Sequence, residues 1–186
     1  ATIWKAQCAE CHEMGGKRTG TVIPLAEIGT DRHRMDMWTQ NSVTAYNAYG
    51  EGYSWKFSNF KKQEGYSALP LDGLWLTAPY LHNGSVPTLA ALLETVARRP
   101  ATFHVGSTEF DTKRVGFVDD PAFPVFDTSL SGNGRQGHEY GTDLEADEKA
   151  KASELDSLLA MLPNAPDASV PQGKDEHGKK PHKGKY

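Results

Sequence analysis

The sequence predicts a mostly α fold: one helical domain with long irregular loops and a short β-hairpin near residues 103–118. Three observations point there. A chain of 186 residues, 38% of them hydrophobic, supplies apolar side chains for one compact core. Leucines recur at helical spacing in residues 89–96 and 155–162, each run behind a helix-start signal. The segments between are punctuated by glycine and proline, which interrupt any period. Of the net charge of −4, residues 1–162 carry −6, because residues 163–186 hold five lysines against three acids. An acidic body without a basic stripe excludes nucleic acid as a partner and argues against an anionic membrane surface. No stretch approaches the ~18 consecutive apolar residues of a membrane span.

The elements follow in order. Ile3, Trp4, Ala6 and Gln7 read as the end of an amphipathic helix, with Trp4 in the core. Residues 14–30 are a loop broken by four glycines. Thr30 is the N-cap expected for a helix over 31–48, with Met35, Trp38, Val43 and Tyr46 available for one side. Residues 50–70 form an irregular excursion with Trp55, Phe57 and Phe60 as apolar anchors. Pro87 suits a first helical position, Leu89, Leu92, Leu93 and Val96 supply the buried face, Arg98 and Arg99 favour the C-terminal end of the dipole, and Pro100 stops the helix. Residues 101–141 make a stretch too long to be a plain connection, so function or a cofactor is expected to brace it. Thr142 and Glu145 form a capping-box pattern opening a last helix to Leu162, expected to pack on the first. Residues 1–162 are thus the expected domain, and 163–186, which include His177 and His182, a disordered tail.

The two cysteines carry the most information. Cys8, Cys11 and His12 make a C-x-x-C-H pattern, the signature of covalent c-type haem attachment: both thiols add to porphyrin vinyl groups and the histidine ligates iron. Positions i and i+3 share a helix face, so both thiols reach one macrocycle. A thioredoxin-like dithiol lacks its βαβ context here, and a zinc site lacks its second ligand pair. The expected fold is therefore a cytochrome c-like haem domain with one haem c, and both thiols are consumed by it. Attachment follows export, so a periplasmic or extracellular address is expected, with a signal peptide already removed.

The segment LDGLWLTAPYLHNGSVPTL over residues 71–89 resembles the C-terminal haem domain of the bacterial di-haem cytochrome c peroxidase superfamily. Arg99-Pro100 with Phe103, VGSTEFD over 105–111, VGF over 115–117, FDTSL over 126–130 and GHEYGT over 137–142 are similar to its rubber-oxygenase-like branch. Two departures stand out. Members of this kind carry two haems, whereas this chain has one C-x-x-C-H, and the residues after the His-Asn-Gly motif lack the methionine that in the peroxidases serves as second axial ligand.

The sixth iron ligand is open among His33, His82, His104, His138, Met14, Met35, Met37 and Met161, with a five-coordinate iron as the other outcome. Met14 lies too near His12 to reach the opposite porphyrin face, and Met161 belongs to the last helix. The rubber-oxygenase resemblance implies His138; the peroxidase resemblance places His82 at the haem edge. Trp75, Tyr80 and Trp55 are expected to wall the haem pocket. Electron transfer is the favoured function, with a basic-surfaced redox protein or another cytochrome as partner. A peroxidase-like or oxygenase-like enzyme would instead need an open distal side with His82, Glu109 or Glu139 as acid-base groups. A third reading makes the chain a haem subunit or fragment of a larger multihaem assembly.

Overall fold

A computed structural model describes residues 2–71 and 73–153. Helices α1 (Thr2–Gln7) and α2 (Ala9–His12) lead into strand β1 (Val22–Pro24), followed by helices α3 (Leu25–Ile28), α4 (His33–Asp36) and α5 (Gln40–Ala48). Strand β2 (Gly65–Ser67), a 3₁₀ turn (Leu74–Leu76) and helix α6 (Leu89–Leu92) come next. Strands β3 (Thr102–His104), β4 (Phe110–Asp111), β5 (Gly116–Phe117) and β6 (Val125–Asp127) then precede helix α7 (Ala146–Ser153).

The expectation of a mostly α chain needs correction. Every helix has nine residues or fewer among those described, so none is stable by itself and each depends on what it packs against. The helix expected over 31–48 is two helices, because Thr39 is extended and its side chain caps α5 by accepting the Ser42 N–H at 3.1 Å. Thr30, the expected cap, is buried instead. Downstream, Thr88 and not Pro87 sets the helix start, its hydroxyl accepting the Ala91 N–H, and α6 unwinds after Leu92 into turns. The expected capping box is unmade: Thr142 donates to the Glu139 carbonyl, and the Glu145 N–H donates to the Glu148 carboxylate. Leu155, Leu158, Leu159, Met161, Leu162 and the tail 163–186 lie outside the described residues.

Three two-stranded antiparallel sheets clip the loops together: β1 with β2, β3 with β6, and β4 with β5. The expected hairpin is present as β4–β5, Phe110 opposite Phe117, while β3 pairs with the more distant β6 through Phe103 opposite Phe126. Their rings stack at 5.1 Å.

The core forms where the family-like segment folds back on itself. Tyr80, Val86, Leu89, Ala91, Leu92 and Val115 make the buried cluster. Tyr80 and Val86 bridge each other, and the Tyr80 hydroxyl donates to the Val115 carbonyl at 3.1 Å. Fully burying such aliphatic side chains stabilises by ~1.5–3 kcal/mol each. Helix α7 touches both α1 and α6, so the first and last helices close over one side of the cavity described next.

Candidate haem site

Between α1, α2, α6 and the 137–140 loop lies a cavity of about 820 Å³. Its wall includes Cys8, Cys11, His12, Tyr66, Tyr80, His82 and His138, which are scattered over 130 residues of sequence. The volume falls within the ~300–1,000 Å³ of cofactor and ligand sites.

The backbone of the α1–α2 turn explains the thiol placement. Hydrogen bonds from Cys8 N–H to the Trp4 carbonyl and from His12 N–H to the Cys8 carbonyl keep helical continuity across the break. Both thiols are free and half-buried, and both face the cavity. Burial first, and then neighbouring Cys11, push the Cys8 thiol up from its ordinary value. A reactive dithiol requires the opposite shift. Among the described residues no three His, Cys, Asp or Glu side chains converge to hold a bare metal ion.

His12 is prepared as a ligand. Its Nδ1 lies 2.7 Å from the Leu69 carbonyl. A carbonyl only accepts, so Nδ1 carries the proton and Nε2 keeps its lone pair. Across the cavity stands His138, its ring centroid 6.1 Å from that of His12. With metal–imidazole bonds of about 2.0 Å, two rings on opposite sides of one metal have centroids roughly 6 Å apart. Burial, and after it the neighbouring His12, depress the His138 pKa to about 4, so its ring is neutral at physiological pH. Its Nδ1 is buried with no hydrogen-bond partner.

Four of the buried polar side-chain atoms left without partners belong to cavity residues: Thr30 Oγ1, Tyr66 Oη, His82 Nε2 and His138 Nδ1. Buried polar groups are normally satisfied, so such a cluster marks where a polar ligand edge belongs. Two thiols, two opposed imidazoles, an apolar cavity and a polar rim together fit a c-type haem.

The 131–138 loop is held from three sides. Arg99, 2% exposed, donates to the carbonyls of Leu92, Glu94, Arg135, Gly137 and His138. Asn83 donates to the carbonyls of Gly132 and Gly134 at 3.0 and 2.9 Å. The third hold runs through His33, whose Nδ1–H donates to Asp31 while its Nε2 accepts the Ser131 hydroxyl. The His138 N–H donates to the Ile28 carbonyl at 2.7 Å, and Tyr140 sets an edge-on ring against the imidazole at 5.0 Å. His138 adopts φ +51°, which an L residue tolerates only when its surroundings dictate it. Gly137, at φ +80°, lies so close to Ile28, Gly29 and Thr30 that an added Cβ would collide with their backbone. Gly137→Ala should therefore displace His138 and lower the low-spin fraction of the haem-loaded protein. An unchanged absorption spectrum would show that the contact is not needed.

The other candidates are placed elsewhere. His33 is engaged with Asp31 and Ser131, and His104 donates to Asp119 at 2.6 Å. Met14 and Met37 are exposed, and Met35 is buried beside Trp38, outside the cavity. His82 does line the cavity, stacked on Tyr66 at 4.3 Å. Two expected walls need correction. Trp75 packs against the core cluster and not the cavity, because the 3₁₀ turn directs it away, and Trp55 is exposed and stacked on Tyr53. Glu109 is exposed, and the Glu139 carboxylate accepts the Val96 N–H. Sequence reasoning missed Arg99, Asn83, Thr30 and Tyr66. Arg99 read as a dipole-compensating surface charge, and only its place in the Arg-Pro motif hinted otherwise.

Residues 65–104 match a family described as RoxA-like, cytochrome c-like. That window contains Tyr66, Tyr80, His82 and Arg99 but neither cysteine. The chain is 45% identical over 108 residues to protein y4iJ of Sinorhizobium fredii (strain NBRC 101917 / NGR234), covering 52% of this chain and 17% of that protein. It is 30% identical over 176 residues to protein y4iM of the same organism, covering 74% of this chain and 39% of that protein. The chain thus spans well under half the length of either relative. A 34-residue stretch is 59% identical to the serine–tRNA ligase of Rhodospirillum centenum, covering 18% of this chain and 8% of that enzyme. A stretch so much smaller than a domain brings no active site with it. Residues 65–104, which supply most of the core and one wall of the cavity, are thus the part of the chain that is similar to a RoxA-like, cytochrome c-like domain.

Proposed function

We propose that the protein is a c-type cytochrome that carries one covalent haem and transfers electrons. The observation behind this reading is the pair of imidazoles, His12 and His138, 6.1 Å apart across a cavity walled by Cys8 and Cys11. Bound haem would supply a one-electron iron couple. The chain's own residues do the rest. The Cys8 and Cys11 thiols would hold the group, and the Leu69 carbonyl orients His12 by fixing its tautomer. Arg99 and Asn83 hold the loop that presents His138, so either oxidation state would meet the same ligand geometry. Leu89 and Leu92 exclude water from one wall, while Thr30, Tyr66 and His82 would receive the porphyrin's carboxylates at the polar rim.

Because haem is attached to such proteins after export, the proposed place of action is the periplasm or the cell exterior. The proposed partner is a redox protein with a basic surface or another cytochrome. The resemblance to the di-haem cytochrome c peroxidase superfamily, and the much greater length of y4iJ and y4iM, support a role within a larger multihaem assembly.

One observation favours a second reading, a peroxidase-like or oxygenase-like enzyme: His82 brings an unpartnered ring nitrogen into the same cavity. Carbon monoxide separates the two. The dithionite-reduced protein is expected to keep its absorption bands under carbon monoxide, since His12 and His138 would both hold the iron. A rapid, complete shift would overturn the electron-carrier reading in favour of the enzyme.

A further inference from the structure

We propose that a second, smaller cavity behind Tyr66 binds a small aromatic acid that delivers electrons to the protein. This cavity has a volume of about 180 Å³ and is lined by Trp38, Phe60 and Tyr66 together with Arg34, Lys61 and Lys62. It lies below the ~300 Å³ at which drug-sized ligands begin, and so suits a single substituted benzene ring. The aromatic walls are braced: Trp38 packs on Phe60 at 4.6 Å and edge-on to Tyr46 at 5.7 Å, so they present a preformed surface.

Charge sets the ligand class. The chain is acidic overall, yet three cationic side chains surround this one cavity. Asp36 is paired with Arg32, and Glu64 with Lys62 at 3.1 Å. Among the described residues neither Arg34 nor Lys61 has an ion-pair partner, which leaves two cations beside stacked aromatic walls. A carboxylate or sulfonate on an aromatic ring satisfies both features at once, through Arg-type pairing and ring stacking.

Position sets the role. Tyr66 is a wall of both cavities, and it stacks on His82 at 4.3 Å with the planes 17° apart. A ring bound against Trp38 and Phe60 is therefore separated from the larger cavity by the Tyr66 ring, which carries His82 stacked on it inside that cavity. Electron delivery rests on the haem reading above, whereas binding does not. For a hydroquinone acid the balance is simple. Each molecule becomes the benzoquinone by losing two electrons and two protons, and two protein molecules each take one electron, ferric to ferrous.

The test uses the haem-loaded full chain. Calorimetric titration with 4-hydroxybenzoate should show saturable binding. Binding should weaken about tenfold in the Arg34→Glu, Lys61→Glu double variant, and likewise on raising salt. Equal binding in that variant, or equal binding of neutral 4-hydroxybenzyl alcohol, would overturn the site. With 2,5-dihydroxybenzoate as reductant, haem reduction should saturate in the parent protein and slow in the double variant. Charge-dependent binding with unchanged reduction rates would overturn the delivery role alone. Failure of the haem reading would show separately, as a protein without a haem spectrum that still binds 4-hydroxybenzoate.

Discussion

Replacing His138 by glycine should convert the haem-loaded protein from a six-coordinate low-spin spectrum to a five-coordinate high-spin one and open the iron to carbon monoxide. Glycine is the informative substitution because His138 sits at φ +51°, where alanine would keep the backbone strain and glycine releases it. The ring removed is the one held 6.1 Å from His12, neutral and with its Nδ1 unsatisfied. Added imidazole should restore the low-spin spectrum, since the cavity left behind matches the lost ring. His82→Ala and Met35→Leu should leave it low-spin, because one stacks on Tyr66 and the other packs beside Trp38 away from the cavity. A low-spin spectrum persisting in His138→Gly without imidazole would refute the assignment and return His82 to first place.

Arg99→Met is expected to be the most destabilising surface-free substitution in the domain, at about 3–5 kcal/mol in chemical denaturation. Arg99 is 2% exposed, and its guanidinium donates to five backbone carbonyls. Methionine fills much of the volume but leaves those carbonyls without their donor, and an unsatisfied buried acceptor costs about 1–3 kcal/mol. Arg99→Lys should recover only part of the loss, because three donors on one nitrogen cannot span carbonyls from residues 92, 94, 135, 137 and 138. Because three of those carbonyls lie in the loop that ends at His138, both variants should lose low-spin character before they unfold. A spectrum that stays low-spin until global unfolding would show that Arg99 supports the fold and not the ligand. A loss below about 1 kcal/mol would mean that the loop finds other donors.

The local chemistry was legible in residue order. Cys8, Cys11 and His12 lie within one helical turn, so their convergence on one group depends only on helix geometry, and the structure keeps that turn. The β4–β5 hairpin was legible for the same reason, since its contacts are short-range, whereas the Leu89–Leu92 segment was legible through the spacing of its leucines. Helix lengths were not. Thr39 and Thr88 cap their helices in place of the cap expected at Thr30 and the first helical position expected at Pro87, because tertiary packing pulls Thr30 into the cavity wall and bridges Thr88 to Gly116. Propensity and capping signals are worth about 1 kcal/mol each and yield to such packing.

What the sequence alone determined is the grouping of Cys8, Cys11 and His12, because side chains three or four residues apart need no fold beyond a turn to come together. Only the tertiary structure decided which of the seven described candidate residues faces His12. That choice depends on Arg99, Asn83, His33 and Ile28 reaching a loop 36 to 110 residues away. Apart from the His33–Ser131 contact, the hydrogen bonds that close those distances end on backbone carbonyls, which every residue offers alike, so no pattern of side chains announces them.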